Sequence, residues 1–190
     1  MGNSIYDSQT IYKCFLQLRL TESFRRIVLQ HIMAILISVF TVGYQGKTIQ
    51  MAENSERNRT TVAHFLNHGK WDDNVLEDII KATVINRIYG EARRTGEPIY
   101  CIVDDTISSK TKPSSRALHP IEDAYFHQSH LKKKQDYGHQ AVGVMLSCNG
   151  ITLDYAIIMY NKVLSKIQLV RDIAEELPEA PGPSVRVGRF

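Results

Sequence analysis

Apolar residues near the start of the chain recur at the spacing of amphipathic helices. The clearest run spans Phe24–Leu36 and follows Thr21–Ser23, whose hydroxyl and carboxyl groups are typical of a helix start. Gly43 marks the predicted end of this helix, and shorter helices are predicted over Thr48–Asn54 and Thr60–Asn67.

A longer helix is predicted to begin at Asp72-Asp73, since either carboxylate can accept a hydrogen bond from the free N–H groups of a first turn. Its apolar residues keep to one face through Val75–Ile88, and Gly96 closes it. Trp71 has no neighbouring aromatic cluster along the chain and is interpreted as a packing anchor for this helix. Residues 1–96 are therefore predicted to be helical.

The hydrophobic period changes in the second half of the chain. Ile99–Val103 is a short run of strand-forming residues that ends abruptly at Asp104, which predicts a buried strand with acids just past its end. Residues 107–137 are polar and basic, and we expect them to be irregular.

Two strand-like runs, His139–Cys148 and Ile151–Tyr160, flank Asn149-Gly150. This pair predicts a tight hairpin, because both central residues of the favoured turn need positive φ angles. Both runs are apolar on both faces, so we expect them to lie within a covered sheet. A helix is predicted over Ser165–Leu177, followed by a divergent tail at residues 181–190.

Composition adds few constraints. The 190 residues are 43% hydrophobic and 23% charged, with a net charge of +3, which is ordinary for one soluble domain or a small domain with part of a larger one. The weak positive charge is compatible with nucleic-acid binding without arguing for it. Three widely separated cysteines fit a reducing cytoplasm and disfavour metal ligation by thiolates. We expect the apolar run Ile27–Val42 to be a core helix, since it is too short for a membrane span.

Asp104 and Asp105 are the candidate catalytic and metal-binding acids. The order of strand, acids, basic connection, hairpin and helix matches the opening of a ribonuclease H-like domain, in which a fourth strand lies parallel to the first and brings a second acid beside it. Phosphoryl transfer to DNA uses two divalent cations roughly 4 Å apart, and Mg²⁺ prefers carboxylate oxygens. We expect an α+β chain with an incomplete ribonuclease H-like mixed sheet over residues 97–180. A pair of acids that caps a turn is the alternative.

A helix-turn-helix is the candidate DNA-binding element. The turn between its two predicted helices is polar, Ala52 is small enough for close packing, and Val62, Phe65 and Leu66 would face inward. The candidate DNA contacts are Arg57, Arg59, Thr60, Thr61, His64 and Asn67. An ordinary two-helix corner with a solvated face is the alternative.

A second basic stretch follows the acids. Its candidate contacts to the DNA backbone are Lys110, Lys112, Lys132, Lys133 and Lys134. A solvated loop that does not contact DNA is an equally supported alternative. His127 and His130 lie in this stretch, but no compact partner pair completes a zinc site.

Three motifs resemble those of bacterial insertion-sequence transposases of the Asp-Asp-Glu type. They are Ile102–Thr106, Thr61–Asp73 and Lys133–Val144, and the resemblance covers residues 25–180. It implies DNA strand cleavage and transfer with Mg²⁺ or Mn²⁺, with Asp104 preferred over Asp105 as the metal ligand because it directly follows the strand. It also implies double-stranded DNA with terminal repeats as the partner, and a homodimer or full-length transposase as a second one. The implied location is the bacterial cytoplasm at the nucleoid, with no membrane and no small-molecule substrate.

The sequence departs from that family after the last predicted helix. No Asp follows Asp172, and the strand-like Ser184–Val187 precedes Gly188–Phe190 where the family has its second acid. The family's later Glu is also missing. We therefore expect a truncated, catalytically incomplete transposase. The alternatives are a DNA-binding derivative that inhibits the full-length enzyme and a decayed gene product.

Overall fold

The computed structural model describes residues 7–42, 48–54, 57–115, 121–129, 133–160, 166–178 and 186–188. Within them the chain is a mixed α+β protein whose helices precede a sheet. The helices are α1 (Ser8–Gln17), α2 (Leu20–Ser23), α3 (Arg26–Val42), α4 (Thr48–Asn54), α5 (Arg59–His68), α6 (Asp73–Thr95) and α7 (Lys166–Glu176). The strands are β1 (Tyr100–Ser109), β2 (Tyr125–Ser129), β3 (Lys134–Cys148), β4 (Ile151–Tyr160) and β5 (Arg186–Gly188). No helix in these ranges has both the length and the apolar character needed to cross a membrane.

The chain divides within α6 into two compact units, Met1–Ile80 and Lys81–Phe190. The first unit buries a core formed by α1, α2 and the start of α3. Its buried members are Ile11, Phe15, Leu20, Phe24 and Leu29. Asp7 caps α1, since its side chain accepts a 2.6 Å hydrogen bond from the N–H of Thr10.

The helix predicted to start at Thr21 begins later. Residues of α2 make a single turn, and Phe24 then adopts an extended backbone with φ −122° and ψ 142°. Phe24 is buried, so this break places its ring in the core, and α3 starts at Arg26. The predicted end of α3 at Gly43 lies outside the described residues.

The predictions for the next three helices are confirmed to within a residue at each boundary. α4 covers the predicted residues, and α5 is one residue longer at each end. α6 begins at Asp73, because Asp72 accepts a 3.0 Å hydrogen bond from the N–H of Asn74. α6 ends at Thr95, beside the predicted Gly96.

The second unit contains a five-stranded sheet. β1 pairs antiparallel with β3, which pairs antiparallel with β2 at its start and with β4 over the rest of its length. After α7, β5 pairs parallel with the start of β1, where Gly188 lies beside Ile102. Along the β3–β4 hairpin the strand order is β4-β3-β1-β5, and β2 pairs with the start of β3 on the same side as β4.

The sheet buries one face against α6 and α7. Alternate residues of β3 from Gly138 to Cys148 are buried, as expected when side chains alternate between faces. Of these, Val144, Leu146 and Cys148 share a core with Ile88 of α6 and Ile173 of α7. The opposite face is open at β4, where Ile157 is 74% exposed, so the prediction that both faces of the hairpin are covered is wrong.

The hairpin predicted at Asn149-Gly150 is confirmed. β3 ends at Cys148 and β4 begins at Ile151, with φ angles of 48° at Asn149 and 76° at Gly150. Both angles lie in the left-handed region that asparagine and glycine tolerate best.

Two predictions for the region after Val103 are wrong. β1 continues through Asp104 as far as Ser109, and residues 107–137, expected to be irregular, contain β2 and the start of β3. The cause is strand pairing: every residue of β1 has a partner on β3, and backbone hydrogen bonds across a ladder do not require apolar side chains. The acids therefore lie inside a paired strand.

Candidate functional site

Asp104 and Asp105 lie on opposite faces of the sheet because successive side chains of a strand alternate. Asp104 is exposed opposite Gly143, whereas Asp105 is half-buried opposite Val142, on the face that carries the core. The N–H of Asp105 donates a 2.9 Å hydrogen bond to Oδ1 of Asp104. The two carboxylates therefore occupy different environments.

Gln140 holds Asp105 on the covered face. Its Nε2 donates a 2.6 Å hydrogen bond to Oδ2 of Asp105, and Gln140 is only 5% exposed. This bond satisfies two polar groups that would be costly to desolvate alone. Gln140 is absent from the predicted site residues, although a polar side chain that interrupts the buried alternation of His139–Cys148 was a usable signal.

The two acids do not form a joint metal site. Carboxylates on opposite faces of one strand cannot chelate the same cation, and the described residues contain no group of three or more His, Cys, Asp or Glu side chains that could hold a metal ion. His127 is buried with its Nε2 3.1 Å from the carbonyl oxygen of Gly138. His130 lies outside the described residues. The Mg²⁺ implied by the family resemblance therefore has no complete set of ligands in these parts of the chain.

α5 packs against α4 as the helix-turn-helix prediction requires. Asn58 begins α5 by accepting a 2.9 Å hydrogen bond from the N–H of Thr60. Val62 is buried together with Met51 and Ala52 of α4. The small Ala52 side chain thus lies at the contact where close packing was predicted.

The predicted DNA contacts of this element are accessible. Those on α5 are exposed and Arg57 is half-buried; the exposed residues are Arg59, Thr60, Thr61, His64 and Asn67. Thr60, His64 and Asn67 share one side of the helix, since they are spaced by four and three residues. Leu66 is 46% exposed, so the prediction that it faces inward is wrong.

Three aromatic rings of the first unit form a stack whose middle member is Phe65 of α5. The ring of His31 is stacked on Phe65 with centroids 4.6 Å apart, and Phe65 is stacked on Trp71 at 5.4 Å. Trp71 also contacts the edge of Phe24 at 6.2 Å and packs with Val75 against the first core, which confirms the prediction that it is a packing anchor for α6. Burial, followed by the charge of Arg57, lowers the pKa of His31 below its ordinary value.

The lysines that follow the acids are spread along the sheet. The N–H of Lys110 extends the β1–β3 ladder by a 2.8 Å hydrogen bond, and the ammonium of Lys112 lies 5.2 Å from the centre of the Phe126 ring. Lys133-Lys134 lies at the start of β3, about 27 Å along the strand from the residues that pair with the acids. Lys132 lies outside the described residues. The predicted basic residues that the structure describes do not converge on the acids as one patch.

Comparisons of the chain with models of protein families, with curated proteins and with solved structures give no match.

Proposed function

We propose that the chain is a DNA-binding protein of the transposase type, in which α4 and α5 contact double-stranded DNA. The observation that carries this proposal is the exposed polar side of α5, which is held by a buried contact with α4. Two packed helices with one solvated polar side have the form in which helix-turn-helix proteins present a recognition helix to the major groove.

The chemistry of that side suits DNA. Thr60, His64 and Asn67 offer hydrogen-bonding groups to base edges, whereas Arg57 and Arg59 bring positive charge to the N-terminus of α5. Phosphate groups are favoured there, because free N–H groups and the helix dipole both attract anions. The arginines therefore fix the position of the helix on the DNA, and the polar side chains read the sequence.

The second part of the proposal is that the sheet belongs to a ribonuclease H-like domain. Its support is the strand order: β1 pairs antiparallel with β3 and parallel with β5, which follows the crossover helix α7. β5 reaches Ile102, two residues before Asp104. Because the described residues lack a complete metal site, we propose strand cleavage and transfer only for an assembly in which another chain, such as a full-length transposase, supplies further acids.

The test measures binding of the full chain to a labelled duplex of mixed sequence by fluorescence anisotropy at increasing KCl concentration. Arg59→Ala removes one phosphate contact, so we expect affinity to fall by about three- to tenfold and the slope of log affinity against log salt to decrease by about one. Arg93→Ala is the matched control, since Arg93 is an exposed arginine at the far end of α6.

Two results would contradict the proposal. One is a wild-type chain that binds no duplex at low salt. The other is an equal loss of affinity in Arg59→Ala and Arg93→Ala, which would assign binding to general charge rather than to α5.

A further inference from the structure

An open pocket of about 420 Å³ lies between α3 and α5. It is lined by His31, Thr60, Thr61, His64, Phe65 and Gly69. The volume falls within the range of roughly 300–1,000 Å³ typical of small-molecule sites. It is therefore large enough for a single nucleotide.

We propose that this pocket receives one unpaired nucleobase of bound DNA, which stacks against the His31 ring and hydrogen-bonds to the polar rim. This inference rests on the proposed DNA-binding function of α5. It adds a ligand class, the unpaired base, that contact with a paired duplex does not require.

The ring stack supplies a rigid wall for such a base. His31 is backed by Phe65, which is backed by Trp71 with an interplanar angle of 6°. A Cβ at Gly69 would lie 2.3 Å from the carbonyl oxygen of Phe65 and 2.9 Å from the Trp71 ring, so only glycine lets the chain close around the stack. Flat rings held in this way favour stacking of any base, because every base has a π face.

The rim supplies hydrogen bonds for the base edge. The hydroxyls of Thr60 and Thr61 and the ring of His64 line the pocket and are exposed. Both hydroxyls can donate and accept hydrogen bonds, and the lowered pKa of His31 favours an uncharged ring on the stacking wall. Stacking on one side and polar groups on the edge are the means by which proteins hold a base removed from a duplex.

The test uses three labelled duplexes of one sequence: fully paired, with a single bulged adenine, and with an abasic residue at the bulge. We expect the full chain to bind the bulged adenine about tenfold more tightly than the abasic duplex. His31→Leu should abolish that preference while paired-duplex affinity is kept, and His31→Phe should retain it because the ring remains. His139→Leu, which changes a histidine of the second unit that does not line the pocket, is the matched control.

Circular dichroism establishes that each variant is folded. If His31→Leu does not fold, NMR of the wild-type chain decides: the Hε1 resonance of His31 should shift with the bulged adenine and stay in place with the abasic duplex. Equal affinity for bulged and abasic duplexes would overturn the pocket proposal alone. Failure to bind any of the three duplexes would overturn the DNA-binding function itself.

Discussion

Gly138 and Gly143 both lie on β3, but only Gly143 has room for a side chain. A Cβ at Gly138 would lie 2.1 Å from the carbonyl oxygen of Ser108, whereas the nearest atom to a Cβ at Gly143 is the carbonyl oxygen of Asp104, 3.9 Å away. The neighbour at Gly138 is backbone and cannot move aside without separating β1 from β3.

Gly138→Ala should therefore lower the free energy of unfolding by about 1–3 kcal/mol through overpacking. Gly143→Ala, in the same strand, should change it by less than about 0.5 kcal/mol. Urea unfolding followed by circular dichroism measures both, with the midpoint as the readout. Equal midpoints for the two variants would show that β1 and β3 do not approach so closely at Gly138.

Glu91 joins α6 to the hairpin turn. Its carboxylate accepts hydrogen bonds from Nε of Arg94 at 3.0 Å and from Nδ2 of Asn149 at 2.8 Å. The bond from Arg94, followed by the bond from Asn149, lowers the pKa of Glu91 from 4.5 to about 2. The ionised form of this side chain is therefore favoured by folding.

The sign of the resulting pH dependence follows from linkage. The stability contributed by Glu91 is fully present above about pH 4.5 and is lost as the pH falls toward 2. Glu91→Gln should flatten the stability curve in this window, measured as thermal midpoint against pH. Glu175→Gln is the matched control, since it removes a charge from an exposed glutamate of α7 without these two bonds. An unchanged slope in Glu91→Gln would contradict the prediction.

At the scale of helices and strands, local sequence signals predicted some elements and missed others. Helix caps such as Asn58 and Asp72, and the Asn149-Gly150 turn, act through neighbours in sequence, so α5, α6 and the hairpin were predictable. The length of β1 was not, because Asp104 and the residues up to Ser109 are held in a strand by partners from distant Gly143–Gly138. Their polar character alone indicated a loop.

Gly90 and Gly150 both have room for a side chain but differ in backbone conformation, so substituting them tests conformation without a packing effect. A Cβ at Gly90 in α6 or at Gly150 in the turn would meet nothing within 4 Å, but only Gly150 of these two has a positive φ, 76°. Gly150→Ala should lower the free energy of unfolding by about 1 kcal/mol because a side chain strains the left-handed conformation. Gly90→Ala should raise it by up to about 1 kcal/mol through better helix propensity. Chemical denaturation of both variants measures this difference, and shifts of the same sign would contradict it.

At the scale of the whole molecule, the two candidate sites lie in separate units. α5 belongs to Met1–Ile80 and the acids belong to Lys81–Phe190. Sequence alone offered no sign of a division within α6, because its apolar periodicity continues without a break from Val75 to Ile88. The side chains of Val75 and Ile88 nevertheless join different cores.

The candidate sites also differ in how far sequence could define them. The exposed residues of α5 follow from helical spacing once Val62 and Phe65 are assigned to the buried side. The environments of Asp104 and Asp105 depend instead on which strand lies beside β1 and in which register. The stack brings His31 onto Phe65, which is distant from it in sequence, and no local pattern predicts that contact.

The open face of β4 has a consequence for the behaviour of the protein in concentrated salt. Ile157 and Met159 are exposed there opposite Gly143 and Ala141, and strongly hydrated salts such as ammonium sulfate strengthen the tendency of apolar surface to leave water. The protein should therefore be retained on a phenyl chromatography column. Ile157→Lys should elute earlier, whereas Gln135→Lys, which adds the same charge at an exposed position of β3, should shift elution less. Coincident elution of the two variants would mean that Ile157 does not contribute to the adsorbing surface.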